Sequence, residues 1–304
     1  MIMNEAYRRQ VALLIQIMPL VFRIKDFAVH GGTAINLFHR NLSRYSVDID
    51  LTYIPISDRE TSLRAINVHL IFLKSMIEKA VQGIRIIHKP DVLKLLCTKD
   101  GTTVKIEVNG TKRGIIGETE TIQLCEKAKQ EFGLTCYANI VGWPQLYGGK
   151  ILAALNRQHP RDLFDCRSIT DEKFAAVKSG FIFCLLGSDK PIVESLVPNP
   201  INQIEALENQ FEGMTDEPFS YADYETSRKN LVKVINNGLD EIDREFLISF
   251  ESGYPDWDKC CAGMLSQYPS VKWKLQNIIA LRTKNPKKHY EGVEKLKDHL
   301  KNGR

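Results

Sequence analysis

The sequence predicts a chain of two characters: a mixed unit, α/β or α+β, followed by a helical one. Several short stretches of the first half place apolar residues at every second position, the period of a half-buried strand. Those stretches alternate with segments of helical period. From about Trp143 onward the strand-like stretches give way to helical segments separated by Pro- and Gly-containing turns.

In chain order, residues 5–22 carry an amphipathic helical pattern. "DFAVHGG" predicts a short strand running into a turn. "TAINLFHRN" predicts a short helix with Ala34, Ile35, Leu37 and Phe38 as its apolar positions. "SVDIDLTYIP" alternates strongly and predicts a strand. "RETSLRAINVHLIFLKSMIEKAVQ" is the longest clear helix of the first half. "DVLKLLCTKDGTTVKIEVNG" predicts two strands around a "KDG" turn. "WPQLYGGKILAALNRQ" predicts a helix with Pro144 in its first turn, where the missing N–H has no intrahelical partner to lose. "PRDLFDCRSI" starts the next helix and "EKFAAVKSGFIFCLLG" follows it. "VPNP" at 197–200 has the proline density of a linker, and helical segments continue beyond it to Leu300. The division expected is 1–142, 143–196 and 197–304.

With 304 residues, 43% hydrophobic and 26% charged, the chain has ordinary globular composition and room for two domains. No run approaches the roughly 18 apolar residues of a membrane span. Asn4 and Glu5, and the lack of a small-residue cleavage site, argue against a secretion signal in "MIMNEAYRRQVALLIQIMPL". The seven cysteines, Cys97, Cys125, Cys136, Cys166, Cys184, Cys260 and Cys261, form no C-x-x-C and stand beside no histidine cluster. That excludes the common zinc-site spacings and suits a reducing, cytoplasmic setting. Net charge is +4, yet residues 271–304 alone carry +7, with ten Lys or Arg against three acids. A basic end on a near-neutral body points to a polyanionic partner, against the plainer reading of a solvated helix face. Lys284, Lys287 and Lys288, around the helix-breaking Pro286, are the candidate RNA contacts. Trp273, between Lys272 and Lys274, is expected in the core rather than stacked on a base.

The chemistry concentrates in "HGGTAINLFHRNLSRYSVDIDL". On a strand, Val47, Ile49 and Leu51 face one way and Asp48 and Asp50 the other. Two carboxylates held that close raise each other's pKa unless a cation sits between them. "VKIEV" repeats the design, with Lys105 and Glu107 opposite Val104, Ile106 and Val108. If the strands are neighbours, Glu107 joins the two aspartates, and three carboxylates can hold two hard divalent cations such as Mg²⁺. Gly31 and Gly32 lie between a strand and a helix, where glycine permits a tight turn and close approach of a phosphate. The free N–H groups near Thr33 and Ala34 favour an anion. Ser46 shares the aspartates' face as a candidate contact to phosphate or metal-bound water. His30 is read as a structural neighbour of the turn. The bland alternative is a surface turn beside two solvated aspartates.

This order of motifs resembles the polymerase-beta-type nucleotidyltransferase superfamily. More closely, "VHGGTAINLF", "RYSVDIDLTY", "LYGGKILAAL" and "RDLFD", with "FLISFESGYPDW" and "PSVKWKLQNI" further on, resemble the AbiEii/AbiGii toxin family of nucleotidyltransferases. Two departures are visible: Gly-Gly-Thr stands where the superfamily has Gly-Ser, and the gap to the first aspartate is a little longer. The resemblance implies an α+β fold, with an N-terminal nucleotidyltransferase-type mixed sheet, flanking helices and an α-helical C-terminal domain. It implies that residues 143–196 complete the active site, with Lys150 contacting the triphosphate and Asp162 orienting Lys150 or a substrate hydroxyl. Asp162 and Asp165 sit three apart on one helix face. The plain alternatives are an exposed helix lysine and an acid favoured by the helix dipole.

The leading functional expectation is transfer of a nucleoside monophosphate from an NTP to RNA, the 3′ end of tRNA first among acceptors, with two Mg²⁺ ions. Asp48, Asp50, Glu107, Lys150 and Asp162 are the candidate catalytic residues, and Gly31, Gly32, Thr33, Ser46 and Lys150 the phosphate contacts. A cognate antitoxin, a small winged-helix protein, is the expected partner. The alternatives are a protein or small-molecule acceptor, or a nucleotide-binding regulatory module without turnover. Intact Asp48, Asp50 and Glu107 count against the last.

Overall fold

The computed structural model describes residues 4–260 and 264–302. Cys261 and Arg304, which entered the thiol and charge readings, lie outside the described residues. The chain divides into two compact units, residues 1–142 with 209–218, and residues 143–208 with 219–304.

The first unit runs α1 (Glu5–Val21), β1 (Phe27–His30), α2 (Gly31–Thr33), a π-helical turn over Ala34–His39, β2 (Asp48–Tyr53), α3 (Arg59–Ala80), β3 (Arg85–Lys89), β4 (Lys94–Lys99), β5 (Thr102–Asn109), β6 (Thr119–Gln123), α4 (Glu126–Phe132) and β7 (Tyr137–Val141). Among the described residues the strands form one seven-stranded sheet in the order β3-β4-β5-β2-β1-β7-β6. β1 and β7 pair parallel, as do β2 and β5, and the remaining pairs are antiparallel. The sheet is therefore mixed, as the resemblance implied.

One face of the sheet is apolar. Ile49, Leu51, Leu95, Cys97, Val104, Ile106 and Val108 are buried on it, beneath α1 and α3. The β4–β5 hairpin closes on Asp100 and Gly101, both at positive φ (49° and 73°), the conformation a two-residue hairpin turn requires. Asp58 caps the start of α3: its Oδ1 accepts from the Thr61 N–H at 2.9 Å.

Several elements differ from the sequence expectation. The helix after the glycines is α-helical for only three residues and then π-helical. Asn36 Nδ2 donates to Gly32 O at 3.0 Å, so a side chain takes a carbonyl at the start of the helix. π-Turns of this kind are frequent at functional sites. β2 begins at Asp48, one residue after Val47. β3, β6 and β7 carry no strong alternation in the sequence; β3 and β6 are the two sheet edges, where one flank of the strand is open.

Residues 209–218 belong with the first unit. Met214 O accepts from the Tyr45 N–H at 2.7 Å, and Thr215 Oγ1 donates to Ser43 O at 2.8 Å. Asp216 pairs with Lys127 at 3.1 Å. This segment thus holds the loop that leads into Asp48.

The second unit is helical: α5 (Trp143–Arg157), α6 (Pro160–Cys166), α7 (Asp171–Leu186), α8 (Ile192–Leu196), α9 (Ile204–Gln210), α10 (Tyr221–Gly238), α11 (Glu241–Glu251), α12 (Pro269–Lys284) and α13 (Pro286–Asn302), with α9 running on into residues 209–210. α5 and α7 meet at glycines. A Cβ on Gly148 would overlap the backbone of Gly180, and one on Gly180 would overlap the Pro144 carbonyl. The helix axes approach this closely only because neither residue has a side chain. Ser220 and Asp240 open α10 and α11 with capping boxes to Asp223 and Asp243.

Trp273 is not core: it is 59% exposed on α12. Its neighbour Lys274 is the buried one, donating to Leu185 O at 3.1 Å and Lys190 O at 2.6 Å. The helix phase places 274, not 273, against the unit's interior. Lys284, Lys287 and Lys288 are exposed where α12 ends and α13 begins.

Candidate active site

The strand register places the predicted carboxylates on one face of the sheet. Asp48 pairs with Lys105 and Asp50 with Glu107 across the parallel β2–β5 ladder, so all four side chains share the face opposite the apolar one. β2 also pairs antiparallel with β1, which sets His30 beside Asp50 and delivers the glycine turn to the end of the same ladder. His30 Nδ1 lies 3.0 Å from Thr52 Oγ1, an interaction within the sheet.

The glycines have a steric reason. Gly31 sits at φ +73°, and a Cβ there would lie 2.8 Å from Asp50 Oδ2. The turn backbone therefore presses directly against a carboxylate. At Gly32 a Cβ would meet Arg44 Nη2 at 2.7 Å and Ser46 Oγ at 2.8 Å. Thr33 and Ser46 are buried, and their hydroxyl oxygens are 3.1 Å apart. Thr33 Oγ1 also donates to Asp48 O. These hydroxyls fasten the turn to the start of β2. Arg44, 3% exposed, donates from Nη1 to Tyr45 O at 2.8 Å and sets a guanidinium under the turn. In the sequence Arg44 is marked only by preceding the aspartates; its burial depends on tertiary packing that no local pattern announces.

Two lysines supply the counter-charge. Lys105 Nζ is 3.6 Å from Asp48 Oδ2 and 3.2 Å from Glu107 Oε2, and Lys94 Nζ is 3.1 Å from Glu107 Oε1. Burial alone would lower the Lys105 pKa, but Asp48, Glu107 and Asp50 outweigh it and hold the ammonium above its ordinary value. Lys94 does not stand out in the sequence, although the hairpin register opposite Glu107 identifies it. Among the described residues no three His, Cys, Asp or Glu side chains converge as a metal cage requires. The donor chemistry nevertheless fits a hard cation, since the acidic groups offer only carboxylate oxygens and the positive charge of the Lys105 ammonium already stands between Asp48 and Glu107. A cavity of about 690 Å³ along α3, lined by Arg59, Glu60, Leu63, Arg64 and Asn67, includes none of these carboxylates. The Asp48, Lys105 and Glu107 side chains are each about a third exposed.

In the helical unit Lys150 is 6% exposed rather than a surface lysine. Its Nζ lies 3.0 Å from both Asp162 Oδ1 and Asp165 Oδ2, and Asp162 Oδ2 also pairs with Arg157 at 2.8 Å. Burial pushes the Asp162 carboxyl up, but Lys150 and Arg157 override it and leave it below its ordinary value. Both aspartates of "RDLFD" thus hold one buried ammonium, and α6 starts on Pro160 with their spacing set by one helical turn.

The sequence matches, over residues 12–277, the family described as nucleotidyl transferase AbiEii toxin, type IV TA system. The fold is similar to that of MenT4, a nucleotidyltransferase toxin from Mycobacterium tuberculosis H37Rv, with a TM-score of 0.59 over 91% of this chain and 93% of that one. Sequence identity to it is 13%, so the likeness is one of fold. A comparison with curated proteins found no match.

Proposed function

The chain belongs to the AbiEii family, the nucleotidyltransferase toxins of type IV toxin–antitoxin systems, and from that premise we propose that it transfers a nucleoside monophosphate from an NTP to the 3′ end of a tRNA. The observation that carries the reading is the adjacency of Gly31 to Asp50, with Glu107 as the cross-strand partner of that aspartate. A turn able to receive phosphates and a cluster able to receive a cation then act on one molecule.

In the transfer, an acceptor hydroxyl oxygen bonds to the α-phosphorus, and the bond from that phosphorus to its bridging oxygen breaks. Pyrophosphate leaves with the electron pair, and the hydroxyl proton passes to a carboxylate of the cluster. Asp48, Asp50 and Glu107 are the residues that would hold Mg²⁺, which would supply positive charge to the attacking and leaving oxygens. The backbone at Gly31 and Gly32 accepts the triphosphate, with Thr33 and Ser46 keeping the turn in place and Arg44 adding positive charge beneath it. The family motif implies a triphosphate contact for Lys150 as well; its ammonium is held by Asp162 and Asp165.

The proposed acceptor matches the basic, exposed cluster of Lys284, Lys287 and Lys288. Reversing all three to Glu is expected to lower RNA affinity and flatten its salt dependence, by about 0.7 in slope for each phosphate no longer neutralised. NTP binding should stay unchanged. Anisotropy across a salt series measures both. Membership of a toxin–antitoxin family also implies an antitoxin; a small winged-helix protein is the proposed one, and restored growth on co-expression tests it. Among the described residues no helix is long and apolar enough to cross a membrane, and the cytoplasm is the proposed location.

The deciding experiment is incubation with α-labelled NTPs and Mg²⁺, with and without bulk tRNA and with EDTA as control. Label on tRNA that requires the divalent ion is the expected result. Label on protein or a small molecule, or no transfer at all, overturns the tRNA reading.

A further inference from the structure

We propose that the open face of β3 and β4, running outward from the carboxylates, is a platform on which a single-stranded RNA acceptor lies. The proposal rests on the nucleotidyltransferase reading and assigns the acceptor's chemistry to a surface. Paired residues of neighbouring strands share a face, so the ladders can be followed across the sheet. One row runs Asp50, Glu107, Lys94, Lys89, and the next runs Asp48, Lys105, Leu96, Ile87. Beyond them Thr103, Thr98 and Arg85 form a third. At about 4.8 Å between strands, the rows extend about 14 Å from β2 to β3.

The character of the face changes along those rows. It is acidic on β2, mixed on β5, and on β3 and β4 it carries Arg85, Lys89 and Lys94 with no carboxylate. Between the basic side chains stand Leu96 and Ile87. Ile87 is 45% exposed, whereas Ile86, on the opposite face, is buried. Arg85 and Lys89 are exposed as well. Ile87 thus presents apolar surface between two cations on one strand face. A polynucleotide strand uses both parts: cations for its phosphates and aliphatic surface for an unpaired base.

The order across the sheet adds direction. The glycine turn ends β1, the carboxylates lie on β2 and β5, and the basic face lies on β4 and β3. In an in-line displacement the leaving pyrophosphate and the attacking hydroxyl occupy opposite sides of the α-phosphorus. With the triphosphate at the glycine turn, the chain that ends in the attacking hydroxyl lies on the β4–β3 side. A protein hydroxyl would need no row of cations there.

The test uses the full chain with Arg85→Glu and Lys89→Glu combined, and a milder Arg85→Gln with Lys89→Gln. Both positions are exposed on an edge strand and outside the carboxylate cluster, and circular dichroism checks that the fold persists. Binding of a short single-stranded RNA labelled at its 5′ end is followed by anisotropy over a salt series. The reversed variant is expected to bind at least about tenfold more weakly, with the salt slope flatter by about 1.4 for two phosphates released. The neutral variant should move in the same direction by less, and NTP binding should be unchanged in both. Unaltered RNA affinity and slope overturn the platform, as does loss of affinity only in the Lys284→Glu, Lys287→Glu, Lys288→Glu variant. Label transferred to a protein at full rate by the reversed variant also overturns it. Absence of any transfer by the wild type, by contrast, refutes the enzyme reading itself and is seen in the labelling assay rather than in RNA binding.

Discussion

Asp48 keeps about a third of its side chain exposed and meets Lys105 at 3.6 Å, and Glu107 is similarly exposed beside Lys94 and Lys105. Ion pairs as open as these contribute at most about 1 kcal/mol to folding. The like charges on one face oppose folding by a comparable amount. Asp48→Asn and Asp50→Asn are therefore expected to change unfolding free energy by about 0.5 kcal/mol or less. Transfer should fall by about a thousandfold, the several kcal/mol that a divalent cation supplies at a reacting phosphate. Glu107→Gln should behave alike, because a neutral amide is a poor ligand for a hard cation and accepts no proton. Urea titrations beside a labelled-NTP assay separate the two effects. Equal losses of stability and activity would mean the carboxylates are structural.

The crossing of α5 and α7 shows what an element demands of single positions. At Gly180 an added Cβ would overlap the Pro144 carbonyl, which is backbone and cannot swing aside. Gly180→Ala should destabilise the helical unit by about 3 kcal/mol, as overpacking does, and a shifted denaturation midpoint at constant slope would register it. Gly180 does not stand out in the sequence, because it lies inside an ordinary helical pattern and only the neighbouring helix makes it indispensable; Gly148 is visible there only as part of "LYGGKILAAL". The acidic strand is legible for the opposite reason: the two-residue period of "VDIDL" and "VKIEV" is local and sets the faces by itself. What no local period carries is the parallel pairing of β2 with β5, which places Glu107 beside Asp50. β3 and β6 escape notice because edge strands need no apolar alternation on their open side. Lys150 and Trp273 show the same limit on helices, since residue type alone does not give helical phase: the lysine is buried among carboxylates and the tryptophan faces water.

For the whole molecule, acid bears on the buried ion pairs, that of Lys150 with Asp162 and Asp165 among them. Asp162 has a folded-state pKa below its ordinary 3.8. Its contribution is complete above the unfolded value and is lost as pH falls through the folded one. The Asp162 contribution should thus hold down to about pH 4 and decline below it, whereas His39, His88 and His299, which burial holds below their ordinary 6.5, favour unfolding earlier, as pH falls below about 6.5. Asp162→Asn removes a buried partner of Lys150 and should cost about 3–5 kcal/mol at neutral pH, with a shallower fall in acid. Denaturant titrations at stepped pH would show both, and an unchanged acid limb would exclude Asp162 as its source. The return of residues 209–218 to the first unit bears on how the protein is made. The backbone ahead of Asp48 is closed by Met214 and Thr215, which leave the ribosome long after residue 142. At about 5–20 residues per second, the delay to residue 218 is about 4–15 s. Throughout that interval the nascent chain holds every carboxylate of the acidic face but lacks the segment that fixes the loop before it. The toxin is therefore finished only after much of its helical unit has been synthesised, and an abandoned translation product of 142 residues carries the chemistry's side chains without their mooring.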